Sequence, residues 1–262
     1  MQAAAGAPRA HATIVPTDPY PRAAAAYLVA VNGVVLWARE PQQPLPPASL
    51  AKLMTALVLA EQQQAKGTAE VSRLAAAATG SRLGLRAGDQ LHFSDAFDAL
   101  LVASGNDVCL ALAEHAAGSV AAFVTRMNER ARQFGLTATR FANPCGLDAP
   151  GQVASAADLH ALVRLAMAVP AIAHAVALPA VDIQTLGGRR LRKSNSNLLI
   201  GRVPGAVGVK SGFTNRAGKC LTALVRRGSD EVLIVLLNAP NRWWSAQVLI
   251  DDAFAALDAS RR

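Results

Sequence analysis

Cysteine is scarce in this chain. Three occur in 262 residues, at positions 109, 145 and 220. An odd count at irregular spacing argues against a disulfide framework and against a structural zinc site. Cys109, inside the apolar stretch DVCLALAEHA, reads as a buried small hydrophobe, and a Cys145–Cys220 bridge stays open with nothing in the spacing to support it. Aromatic residues make up only 5% and no basic stripe is interleaved with them, so a nucleic-acid surface is not expected in spite of a net charge of +8. The arginine-dominated charge is scattered and reads as compositional bias. No apolar run approaches the roughly 18 residues of a membrane helix. The opening MQAAAGAPRAHATIVP lacks the apolar core of a signal peptide. G-x-S-x-G and H-E-x-x-H are both missing, and His11, His92, His115, His160 and His174 fall in no ligand spacing, so no metal is expected.

What is present is ample apolar content, 52% of the chain, enough for a sizeable core. AAYLVAVNGVVLWA (25 to 38) has two β-branched runs about Asn32-Gly33, a pair that tolerates the positive φ of a tight hairpin turn. The region from about 48 to 175 is dominated by helical spacing. VDIQTLGGRRLRK then reads as a small hairpin about Gly187-Gly188, GVKSGFTNRAGKCLTALVRR with EVLIVLLNAP as two further strands, and WSAQVLIDDAFAALDA as a closing helix onto which Trp243 and Trp244 pack the sheet. Strands at both ends with helices between predict an α/β (α+β) unit: one sheet built from distant segments, flanked by helices, with a helical region inserted. No internal repeat or linker marks a second domain. The expected boundaries are an N-terminal extension over 1–24 and a catalytic unit over 25–262.

Within PPASLAKLMTALV (46 to 58), Pro46 and Pro47 cannot extend a helix backwards, so a helix starts near Ala48 or Ser49 with Leu50, Leu53, Met54, Leu57 and Val58 as its apolar stripe. Ser49 and Lys52, three apart, are then neighbours on its surface. A lysine enclosed in apolar surroundings loses solvation for its charged form, its pKa falls, and it becomes a base able to activate a hydroxyl. Alone the pair is a weak signal, because thirteen serines and five lysines produce such spacings by chance. Two further pieces add to it. Ser104-Gly105-Asn106 lies at the junction of two helical segments, and Lys210-Ser211-Gly212 lies on a predicted strand.

In order and approximate separation these three pieces resemble the Ser-x-x-Lys, Ser-x-Asn and Lys-Thr/Ser-Gly set of penicillin-recognising serine enzymes. With PPASLAKLMTA, SGNDVCLALAEHAAGS, FANPCGLDAPGQVASAADLHAL and VKSGFTNRAGKCLTALV, the chain from about 25 to 255 resembles the low-molecular-weight penicillin-binding proteins of the D-alanyl-D-alanine carboxypeptidase family. The resemblance implies a β-lactamase/transpeptidase-like fold. It implies Ser49 as nucleophile, Lys52 as its base and Ser104 as proton relay. Asn106 would bond Lys52 and a substrate amide, Lys210 and Ser211 a terminal carboxylate. Gly212 would give the strand close approach, and the N–H groups of Ser49 and Phe213 would form an oxyanion hole. The implied substrates are peptidoglycan stem peptides ending in D-Ala-D-Ala, with β-lactams as covalent inhibitors and no cofactor. The implied place is the bacterial periplasm or cell envelope, with peripheral membrane association only if a C-terminal anchor has been removed. Ser211 stands where threonine is commoner, and SNSN (194 to 197) resembles a family Asn-Thr-Asn segment to which no role is attached. A D,D-endopeptidase remains an alternative. So, more distantly, do a serine β-lactamase, against which stands the lack of an E-x-x-L-N segment between Ser104 and Lys210, and a non-catalytic sensor.

Overall fold

The Asn32-Gly33 turn starts the sheet. In the computed structural model, which describes residues 17–61 and 67–262, it joins β1 (Ala26–Val31) to β2 (Val34–Arg39). A 3₁₀ turn (Ala48–Ala51) then runs into α1 (Lys52–Glu61). Next come β3 (Thr68–Glu70), α2 (Arg73–Ala76), β4 (Gln90–His92), α3 (Phe93–Val102), α4 (Asn106–Ala117), α5 (Val120–Gln133), α6 (Ala156–Met167) and α7 (Pro170–Ala177). The chain closes with β5 (Ala180–Gln184), β6 (Arg190–Ser194), β7 (Ala206–Thr214), β8 (Gly218–Arg227), β9 (Asp230–Leu237) and α8 (Arg242–Ser260). The main sheet is antiparallel, in the order β2-β1-β9-β8-β7, so both ends of the chain meet in it as expected.

Burial explains why β1 reads as an unbroken apolar run. Ala26, Leu28 and Ala30 face the core shared with the helical region, while Tyr27, Val29 and Val31 face a second core under α8. A strand covered on both faces has no solvent side to alternate toward. The helix α8 supplies Ala246, Leu249, Ile250, Ala253 and Phe254 to that second core, at the 3–4 residue spacing of one helical face. By contrast α1 is buried from Lys52 to Leu59 on every side, the signature of a central core helix.

Several expectations need correction. The stretch read as two strands holds three, because Gly218 at φ +64° turns the chain between β7 and β8. The helical region carries a small β3–β4 pair and continues to Ala177. Trp243 is half-buried against the second core, but Trp244 is 69% exposed and does not pack the sheet. Cys109 is buried, yet it is bonded to Cys145 with Cα atoms 5.9 Å apart, and Cys220 is the free, buried thiol. The expected extension over 1–24 and His11 lie mostly outside the described residues. Its described end docks: Tyr20 meets Trp37 edge-on at 5.1 Å and its hydroxyl donates to Asp252. Among the described residues no group of His, Cys, Asp and Glu could hold a metal, and no single helix is long and apolar enough to cross a membrane.

Candidate active site

Ser49 sits in the 3₁₀ turn, where residues i and i+3 eclipse more closely than in an α-helix. Lys52 is therefore directly above it, and its Nζ lies 3.0 Å from Ser49 Oγ. Two other acceptors complete its surroundings: Asn106 Oδ1 at 2.8 Å and the Cys145 carbonyl at 2.7 Å. The Asn106 amide is oriented by its far end, since Nδ2 donates to Thr79 O at 2.7 Å and leaves Oδ1 for the lysine. Lys52 has no exposed surface. Burial holds its pKa well below the ordinary lysine value, the Lys210 charge pushes the same way, and the Asp107 carboxylate opposes both.

Asp107, also fully buried, secures the start of α4. Its two oxygens accept from the backbone N–H groups of Leu83, Gly84, Leu85 and Val108, which pins the 83–85 loop over the start of α4. Ser104 lies two residues before α4 in the left-handed region, φ +59°, and is buried. That backbone is costly for a residue with a Cβ, and such conformations persist where the surroundings over-determine them. Among the described residues no hydrogen bond joins the Ser104 hydroxyl to Lys52 or Lys210.

The other wall is β7, the edge strand of the sheet. Lys210 is buried; its Nζ donates to the Ser211 carbonyl at 3.0 Å and reaches Ser196 Oγ at 3.5 Å. Burial, then the nearby Arg242 charge, lower its pKa to about 7. Ser211 Oγ donates to the Ser196 carbonyl at 2.9 Å. Gly212 touches the nucleophile's backbone: a Cβ there would stand 2.8 Å from Ser49 N and 2.9 Å from Ala48 Cβ. Gly146 presses from another direction, where a Cβ would come within 1.8 Å of the Ala48 carbonyl oxygen. Phe213 is exposed at the rim. A cleft of about 530 Å³ opens beside these residues, lined by Ser49, Asn106, Cys145, Gly146, Asp148 and Phe213.

The sequence profile of Peptidase S11, D-alanyl-D-alanine carboxypeptidase, matches residues 13–241. The chain belongs to this family. Among S11 relatives it is 32% identical over 233 residues to the D-alanyl-D-alanine carboxypeptidase DacF of Bacillus subtilis, covering 86% of this chain and 60% of that protein. It is 33% identical over 232 residues to DacB2 of Mycobacterium tuberculosis, covering 86% and 79%. The chain thus spans rather more than half the length of the first of these relatives. The fold is similar to the crystal structure of a Mycobacterium tuberculosis D-alanyl-D-alanine carboxypeptidase (TM-score 0.84, 31% identity, 93% of this chain and 95% of that one). It is also similar to the Streptomyces K15 DD-transpeptidase (TM-score 0.84, 25% identity, 91% and 99%).

Within this S11 fold the structure gathers Ser49, Lys52 and Asn106 into one bonded cluster, and Lys210 and Ser211 into a second that touches the first through Gly212. Sequence reasoning missed four participants. The Cys145 carbonyl is backbone and carries no sequence signal. Ser196, in the SNSN segment left without a role, faces both Lys210 and Ser211. Arg242 donates to the Gly212 carbonyl and lies 4.5 Å from the Trp243 ring, so it braces β7 from behind. Gly146, in NPCGLD, was legible only as part of a matched segment.

Proposed function

We propose that this chain is a serine D,D-carboxypeptidase that removes the terminal D-alanine from peptidoglycan stem pentapeptides through an acyl-enzyme on Ser49, and that β-lactams acylate the same serine. The observation that carries this reading is the bonding of Lys52. A neutral amine has two N–H donors and one lone pair. With Asn106 Oδ1 and the Cys145 carbonyl taking the donors, the lone pair faces Ser49 Oγ. Lys52 then accepts the hydroxyl proton as Ser49 Oγ attacks the carbonyl of the D-Ala-D-Ala bond. The oxyanion forms between the N–H groups of Ser49 and Phe213, a reading supported by the contact of Gly212 with Ser49 N. Lys52 returns the proton through the Ser104 hydroxyl to the departing D-alanine nitrogen. Lys210 and Ser211 hold the terminal carboxylate by charge-assisted bonding, and Asn106 offers its remaining N–H to a substrate amide. Water entering after D-alanine leaves hydrolyses the acyl-enzyme, with Lys52 again as base.

The catalytic unit spans 25–262. Its place is the bacterial periplasm or cell envelope, a reading supported by the buried Cys109–Cys145 disulfide, since such bonds persist in oxidising compartments. A second reading, a D,D-endopeptidase on cross-linked peptidoglycan, is favoured by 32% identity over 219 residues to a D-alanyl-D-alanine endopeptidase of Pseudomonas aeruginosa, covering 79% of this chain.

The purified chain is expected to release D-alanine from a stem pentapeptide and to carry one penicillin adduct by intact-protein mass spectrometry. Ser49→Ala is expected to do neither, and a full adduct on that variant overturns the assignment. A cross-linked dimeric muropeptide run in parallel decides between the readings: cleavage to monomers with no D-alanine release selects the endopeptidase.

A further inference from the structure

The two groups that take the Lys52 protons lie on segments far apart in sequence. Asn106 opens α4, and Cys145 sits in the loop after α5. Cys109 is one helical turn beyond Asn106, and its disulfide ends on Cys145 itself, the residue whose carbonyl is the other acceptor. Cys145 Sγ lies 3.8 Å from the Asn106 carbonyl. Both sulfurs are buried, at 0% and 1% exposure for their residues. The bond therefore sets the separation of two acceptors that Lys52 bridges at 2.8 and 2.7 Å.

We propose that the Cys109–Cys145 disulfide is a positioning element for Lys52: it fixes the Cys145 carbonyl relative to Asn106, so that the amine's lone pair is held on Ser49 and water is kept out of its pocket. This rests on the reading of Lys52 as the base. Other contacts hold the same loop. Thr55 Oγ1 donates to Pro144 O at 2.6 Å, and Asn143 Oδ1 accepts from Cys145 N at 3.2 Å. These tie the loop to α1 and to itself, and the disulfide is the covalent tie to α4. Without it the loop retains its fold but not its spacing from Asn106. Lys52 then gains water and rotational freedom, and its ammonium form recovers stability. Cys220 does not interfere. Burial raises its thiol to about 11, and a protonated thiol does not attack a disulfide.

The test compares three forms of the whole chain: the oxidised protein, the same protein folded under dithiothreitol, and Cys109→Ala/Cys145→Ala. In the second form each sulfur gains a hydrogen as dithiothreitol closes to its cyclic disulfide, and intact mass reports the two added hydrogens. Two readouts are taken on protein shown folded by circular dichroism. With only five lysines in the chain, the ¹³Cε signal of labelled Lys52 can be assigned against Lys52→Met and titrated without any activity. The rate of penicillin acylation is followed against pH alongside it. The expected result is a Lys52 midpoint at least one unit higher in the dithiol form, with acylation at pH values below both midpoints falling about tenfold for each unit of that shift. Cys109→Ala/Cys145→Ala is expected to follow it, and the dithiol form decides if the variant does not fold. An unchanged midpoint and pH profile, with only a lower melting temperature, overturns the proposal and leaves the disulfide a plain staple. A shifted midpoint in a protein that penicillin never acylates supports the positioning role and overturns the carboxypeptidase reading instead.

Discussion

Two buried lysines, one on α1 and one on β7, stand close together behind the cleft, and their difference is instructive. Lys52 is enclosed by two fixed carbonyl acceptors and the Ser49 hydroxyl and held far below the ordinary lysine range, whereas Lys210 has one backbone carbonyl, one long contact to Ser196, and a pKa near 7. Burial is the first cause in both. What separates them is the completeness of the bonding. Once two carbonyl acceptors have taken both N–H groups of a neutral amine, its lone pair is aimed, which suits a base. An amine with unfilled donor capacity, poised between charged and neutral at physiological pH, suits an anion that arrives from solvent and brings the missing partner.

Breaking the first lysine should have the largest effect. Lys52→Arg keeps a cation but cannot surrender its proton, so acylation of Ser49 is expected to fall about 10²–10⁴-fold in stopped-flow measurements. Near-normal acylation would erase the distinction between the two lysines. Breaking the second lysine should be milder and substrate-dependent. Lys210→Met is expected to cost about 2–4 kcal/mol in kcat/KM on a peptide ending in a free carboxylate, and clearly less on its C-terminal amide. Equal losses on both peptides would make Lys210 a structural residue. Gly212→Ala disturbs the seam between β7 and the Ser49 turn, because its methyl group would meet the Ser49 backbone. A loss of up to about 10² in kcat is expected, since misplacing reacting atoms by an ångström has costs of that order. A fully active variant would mean that β7 yields freely.

The smallest effect, and the sharpest comparison, is in pH. A neutral base is required at Lys52, so acylation should rise with pH through that residue's depressed pKa on the acid side. Lys210 has the opposite demand. Below about 7 it is already charged; above it, binding a carboxylate must also take up a proton, so affinity for the peptide should weaken by up to tenfold per pH unit. A peptide KM that stays flat from pH 7 to 9 would detach Lys210 from carboxylate recognition.

How much of this was legible in the sequence follows from the range of each signal. The Asn32-Gly33 hairpin and the closing helix are local patterns, and both read correctly. That both ends of the chain share one sheet was read from strands at either end with helices between, but the order of its five strands, which joins segments some two hundred residues apart, was not read at all. The third strand was missed because NRAG, the turn between β7 and β8, sits inside a continuous strand-like run and was not read as a break. The cysteine pairing was illegible for a physical reason: 36 residues separate Cys109 from Cys145, and the helix-and-loop path between them is what brings them to bonding distance. At the site, the motifs pointed to Ser49, Lys52, Asn106, Lys210 and Ser211, which the fold brings close together, but not to Ser196 or Arg242. The Cys145 carbonyl was not legible, since every residue has one and only the fold decides where it points.

Gly146 and Gly212 press on the Ala48–Ser49 backbone, with no room for a methyl group at either point. That limits where this cleft can change. A lineage adapting to a bulkier or altered peptide has no freedom around the nucleophile, because widening there moves the nucleophile itself. Variation is left to Phe213 and Asp148, which line the cleft from exposed positions. Differences in substrate preference between this chain and its relatives should therefore collect at the rim, above a floor with no room to move.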